Sequence, residues 1–150
     1  MVTGMTALRP TSHILPLIGW KEDIGLPMLG PGKLVAKVDT GARTAALHAE
    51  DIAIIGRRVH FTIELGGRRK NCLAKLAELK HIKSSNGISE LRAVIETDIL
   101  IGATRFTTDI TLTDRADMGV PMLLGRAAIK GRFLVHAGKT FIFSRRKQSV

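Results

Sequence analysis

A mainly β, barrel-like domain is the fold class that this sequence predicts, on three observations. Apolar and polar residues alternate over short runs such as "KLVAKV", "RRVHFTIEL" and "RFTTDITLT", and a period of two belongs to half-buried strands. Glycines punctuate the runs, at Gly41, Gly56, Gly66, Gly67, Gly102 and Gly125, where the chain must turn. Helical periodicity is confined to short pieces, so the pattern supports one or two short helices and no more. With 150 residues, 45% of them hydrophobic, the chain suits a single domain over residues 1–150 with its own core. Tyrosine is absent and aromatics make up 4%, so that core must be aliphatic.

Taken in order, residues 1–13 read as a loose lead without periodicity. "ILPLIGWKEDIGLPMLG" is dense in Gly and Pro and predicts short extended pieces joined by turns. "KLVAKVDTG" is a strand that ends in a turn. "RTAALHA" can form one helical turn before the β pattern resumes in "DIAIIG" and "RRVHFTIELGG". "NCLAKLAELKHIKSSNG" is ambiguous. Leu73, Leu76, Leu79 and Ile82 share one helical face, which makes a short helix the local preference. A strand running into "SSNG" is the competing reading, one that tertiary context can impose. "ELRAVIETDILIGATRFTTDITLTDR" predicts a hairpin, Val94 to Ile101 against Phe106 to Leu112, turning near Gly102. "VPMLLGRAAIKGRFLVH" gives an apolar strand, Gly125 and a short helix-like "RAAIKG". "GKTFIF" is expected as a closing strand, and residues 144–150 as a basic tail.

The formal net charge of +10, from 23 Lys and Arg against 13 Asp and Glu, favours polyanionic partners. A nucleic-acid-binding barrel stacks bases on aromatic side chains, and five Phe, one Trp and no Tyr provide a poor platform, so nucleic acid is not the expected partner. No apolar run approaches the roughly 20 residues of a membrane span. "HILPLIGW" has neither a basic lead nor a small-residue cleavage site and does not read as a signal peptide. One cysteine, Cys72, excludes an internal disulfide and suits a reducing cytoplasm. It has no evident histidine partner and reads as a small buried apolar residue.

The stretch "AKVDTGARTAALHA" sets a carboxylate, Asp39, where an apolar strand enters a turn, followed at once by Thr40 and Gly41. Alone, such a triplet is ordinary turn chemistry. Together with "MLLGR", Met122 to Arg126, it resembles the retropepsin-like aspartic peptidases. The similarity extends over "IGWKEDIGLP", "VIETDILIG" and "LTDRADMGVPMLLGR", about Ile18 to Val135. It resembles one bacterial and archaeal family that carries the old label "ATP-dependent zinc protease". Some members of that family are encoded beside ATP-grasp enzymes that add glutamate to proteins. The resemblance implies a closed, homodimeric retropepsin-like β-barrel that hydrolyses peptide bonds, with acidic or glutamate-modified protein tails as substrate. The residues give the old label no support. His13, His48, His60, His81 and His136 are scattered without HExxH spacing, and no run matches the phosphate-binding GxxxxGK pattern followed by Ser or Thr. No metal and no cofactor are therefore expected.

The chemistry needs two carboxylates. A single one cannot both activate a water and protonate a carbonyl, whereas two sharing one proton, about 3 Å apart as in the known aspartic-protease dyads, can. With one such motif per chain, a two-fold homodimer must supply the second Asp39. The resemblance assigns catalysis to Asp39, Thr40 and Gly41, with the Thr40 hydroxyl binding backbone across the axis. Ala42 and Arg43 fall to substrate binding, and Leu123, Leu124, Gly125 and Arg126 to supporting the loop. Arg126 is expected to hold an internal carboxylate, Asp114 first and Asp117 second. Retroviral members often follow the motif with acidic residues; here Arg43 and Thr44 follow, which favours an acidic substrate. Two segments have flap-like turn chemistry, Leu65–Arg69 and Ser84–Ser89. The rival reading is a non-catalytic module of the same fold that binds acidic peptides.

Overall fold

The structure is a computed structural model that describes residues 14–83 and 87–145. The expected lead, residues 1–13, and most of the basic tail lie outside the described residues. Six strands close into a barrel: β2 (Lys21–Gly25), β3 (Lys33–Val38), β10 (Met122–Leu124), β4 (Ala45–His48), β9 (Thr104–Thr113) and β8 (Ser89–Ile101), in that spatial order. Pairing of Gly25 with Leu100 joins the first to the last. The sheet continues from β8 through β7 (Arg68–Lys83) and β6 (Arg58–Leu65) to β5 (Glu50–Ile55) at its edge. Alternation explains the core. Ile95, Ile99, Ile101, Ile110, Leu112 and Phe61 point inward and are fully buried, each contributing about 1.5–3 kcal/mol.

Two local preferences lose to tertiary context. The segment with a helical face is β7, the longest strand at 16 residues. Its first half pairs with β6 from Arg68 to Lys75, its second half with β8 from Leu76 to Lys83, and a bulge between Leu76 and Glu78 marks the change of partner. Each half thus gains a ladder with one neighbouring strand along its whole length, and such tertiary pairing overrides the local helical preference. "RTAALHA" likewise yields β4, without a helical turn. The helix expected after Gly125 is present as α1 (Arg126–Ile129), and a 3-10 turn spans Ala116–Met118.

"GKTFIF" is not a strand. The sheet partner at this end is β11 (Leu134–His136), which pairs in parallel with β1 (Leu17–Gly19). Residues 139–145 instead cross the barrel as a strap held by Glu22, a carboxylate on β2 that is wholly buried. Glu22 accepts bonds from the N–H groups of Gly19 (2.6 Å), Ile142 (3.1 Å) and Ser144 (2.9 Å), from that of Phe143, and from the Ser144 hydroxyl (2.6 Å). One side chain thus accepts from three successive backbone donors, those of Ile142, Phe143 and Ser144, while the Phe141 N–H donates to the Lys21 carbonyl at 2.8 Å. Burial pushes the Glu22 carboxyl up, but the bonds from Ser144, Gly19 and Phe143 outweigh it, and its pKa lies below the ordinary value.

Candidate active site

Asp39 sits where β10 lies between β3 and β4, two strands that would otherwise be joined by a tight turn. β10 runs parallel to β3, with Leu124 opposite Val38, and antiparallel to β4, with Leu123 opposite Ala46. The 39–44 loop must therefore pass over the end of β10, and its backbone is tied down there. The Asp39 N–H donates to the Leu124 carbonyl at 2.9 Å, and the Gly41 N–H donates to Asp39 Oδ1 at 3.0 Å. A Cβ at Gly41 would lie 3.2 Å from that oxygen, so glycine lets the backbone approach the carboxylate.

The second motif closes on the first. The N–H groups of Arg126 and Ala127 donate to the carbonyls of Ala42 and Arg43, both at 2.9 Å. Gly125 fits because a Cβ there would stand 2.6 Å from the Thr44 carbonyl carbon and 2.8 Å from that of Arg43. Leu124 is fully buried beneath the loop, whereas Leu123, pointing to the other face as strand alternation demands, lines the cleft. The expectation for Arg126 is corrected: its Nη1 donates to the Thr40 carbonyl at 2.8 Å, and no described residue pairs a carboxylate with it. The loop's carbonyls have no strand partner, and α1 aims this guanidinium at them. Asp117 faces Arg115 at 3.4 Å, and Asp114 lies with His48 and Glu50.

Asp39, half-buried, opens into a cleft of about 530 Å³ with Gly41, Ala42 and Arg43 beside it. Thr40 is exposed and is not part of the lining. Five cations, Arg43, Lys80, Lys83, Arg92 and Arg115, line the cleft against the one carboxylate of Asp39, so its field attracts anions. Lys80, Lys83 and Arg92 lie on β7 and β8; of the flap candidate Ser84–Ser89, residues 84–86 lie outside the described residues. The Leu65–Arg69 turn is elsewhere, docked on the start of β3 through the Gly66 N–H to the Lys33 carbonyl at 3.0 Å. Sequence reading missed Lys80 and Arg92; the apparent helical face of this segment hides the strand alternation that puts Lys80 and Ile82 on one side. Cys72 is buried, which pushes its thiol up and leaves it inert.

A second cleft of about 350 Å³ lies near His48, Glu50, Arg69 and Arg115. Ligand atoms of His48, Glu50 and Asp114 fall within 4.8 Å of one another, a grouping that the scattered histidine positions did not reveal. The donor set does not suit zinc. The Arg115 N–H donates to His48 Nδ1 at 3.0 Å, which leaves the ring proton on Nε2, facing Glu50 at 3.7 Å, where a metal would need a lone pair. Glu50 is engaged by Arg69 at 2.7 Å, and that bond and charge hold its carboxyl below the ordinary range.

Comparisons with known proteins agree with this architecture. Residues 17–146 match the RimB-like family, described as retropepsin-like aspartic endopeptidase RimB. A Shewanella pealeana protein named probable alpha-L-glutamate ligase is 38% identical over 133 residues, covering 83% of this chain and 29% of that protein. A Parasynechococcus marenigrum protein of the same name is 35% identical over 127 residues, covering 79% of this chain and 27% of its own length. The chain thus spans less than a third of the curated relatives it matches. The crystal structure of a Legionella pneumophila protein of unknown function superposes with a TM-score of 0.70 at 28% identity, covering 84% of this chain and 96% of that one. A barrel closed by six strands, with an aspartate turn locked to a glycine-led helix, is accompanied by similarity along nearly the whole chain: this protein belongs to the RimB-like family of retropepsin-like aspartic endopeptidases.

Proposed function

We propose that this chain is an aspartic peptidase that works as a homodimer, with a water held between two Asp39 carboxylates as the nucleophile. The observation that carries the reading is Asp39 itself, half-buried at a cleft and fixed by the Gly41 N–H and the Leu124 carbonyl. On the two-fold axis, one carboxylate takes a proton from the water while the other, protonated, donates to the scissile carbonyl. A tetrahedral gem-diol forms and collapses as the amine leaves with a proton, and no acyl-enzyme intervenes. Thr40, exposed beside the dyad, is assigned the contact across the axis, and Ala42 and Arg43 the substrate backbone and acidic side chains.

The substrate class is glutamate-rich or glutamate-modified protein tails. Supporting it are the cationic cleft and relatives whose name is glutamate ligase, since a domain carried within such proteins fits an activity on the same glutamate-bearing target. The test is hydrolysis of a peptide ending in several glutamates, followed by mass spectrometry from acid to neutral pH. Cleavage is expected, and Asp39→Asn should lower it by at least about 10³-fold with folding unchanged. Hydrolysis retained in Asp39→Asn excludes the mechanism. Saturable binding without any cleavage would establish the non-catalytic module instead.

A further inference from the structure

Resting on the reading of this cleft as the substrate channel, we infer that Lys80 and Arg92 form a carboxylate-binding subsite that selects an acidic side chain of the peptide. The β7–β8 register sets Lys80 directly opposite Arg92. Residues opposed in this way project to the same face, and like charges so placed destabilise a sheet. Both side chains line the Asp39 cleft. Neither is well compensated. Lys80 reaches the Thr44 hydroxyl at 3.5 Å, a neutral and distant partner.

Arg92 is 7% exposed. Glu90 approaches its Nη2 at 3.4 Å, long for a charge-assisted bond. Glu90 also accepts from the Thr113 hydroxyl at 3.5 Å, and its own side chain is 47% exposed. Among the described residues Arg92 Nε has no hydrogen-bond partner, and it is closed to solvent. A buried guanidinium left partly unsatisfied beside a second cation is costly to the fold. An anion entering from the cleft, which both side chains line, offsets their opposed positive charges. A carboxylate suits the position, because its two oxygens can serve a planar guanidinium and an ammonium together.

The experiment separates this subsite from the peptidase reading by measuring binding without turnover. Fluorescence anisotropy of labelled pentaglutamate and pentaglutamine is compared in an Asp39→Asn background, alone and with Lys80→Met or Arg92→Met. Pentaglutamate should bind at least about tenfold more tightly than pentaglutamine, and either added substitution should remove most of that preference. Thermal unfolding supplies the second readout. Because the pair is a strain on the free protein, Lys80→Met and Arg92→Met should leave Tm unchanged or raise it. A preference that survives in both variants overturns the subsite, as does a Tm drop in both with the preference intact, which marks a structural role. If the native chain proves unable to cleave any peptide while the preference behaves as described, the peptidase reading falls and the subsite stands.

Discussion

The carboxylate of Asp39 owes its position to groups that are not themselves reactive. The Leu124 carbonyl holds its backbone, the Gly41 N–H holds its side chain, and Arg126 braces the Thr40 carbonyl. Gly125 is the residue on which this packing is least forgiving. Its φ is −79°, open to any residue, so the constraint is space: a methyl there would meet the backbone carbons of Thr44 and Arg43 inside 3 Å. Gly125→Ala should therefore destabilise the protein by about 2 kcal/mol, read as a shifted urea midpoint. It should lower peptide hydrolysis by more than the loss of folded protein accounts for, because the displaced loop carries Asp39. Hydrolysis that simply tracks the folded fraction would show that the loop tolerates the shift.

Among the elements, the strap over residues 139–145 depends on Glu22 as a strand depends on its neighbour. Removing the carboxylate in Glu22→Ala leaves several buried N–H groups without an acceptor, at a cost of about 3 kcal/mol or more. Phe143, which stacks edge-on to Phe133 at 5.9 Å, should loosen with the strap. The pH dependence follows from the depressed Glu22 pKa. The folded state binds this proton less readily than the unfolded chain does, so the contribution is complete above the ordinary carboxyl value of 4.5. It is lost as pH falls through the lower folded value. Urea midpoints measured from pH 6 down to pH 3 should decline below about pH 4.5, and Glu22→Gln should flatten that decline. An equally steep decline in Glu22→Gln would assign acid lability elsewhere.

For the whole molecule, the proposed dyad shared between two copies would make activity a property of the pair. Native and Asp39→Asn chains mixed in equal amounts and allowed to exchange should show about a quarter of the activity of an all-native sample at the same total chain concentration. A residual near one half would mean that each chain works alone. Specific activity should also fall on dilution through the dimer dissociation constant. With five cations around the cleft, KM for an acidic peptide should rise with ionic strength while a neutral peptide changes little.

Much of this was written in the sequence: alternation and glycine placement specify the β class, and the two motifs anticipate the loop and helix that the fold brings together. Such features are local, encoded in spacing along the chain. What tertiary structure alone decided is partnership. β7 became a strand because β6 pairs with its first half and β8 with its second, "TFIF" became a strap because a distant carboxylate captured the N–H groups of Ile142, Phe143 and Ser144, and Arg126 turned to a carbonyl because the loop beside it had acceptors to fill. Lys80 and Arg92 are twelve positions apart, and nothing in either neighbourhood marks them as a pair. Strand register does, since the energies that choose between partners come from burial and hydrogen bonding across the sheet, which no local stretch contains.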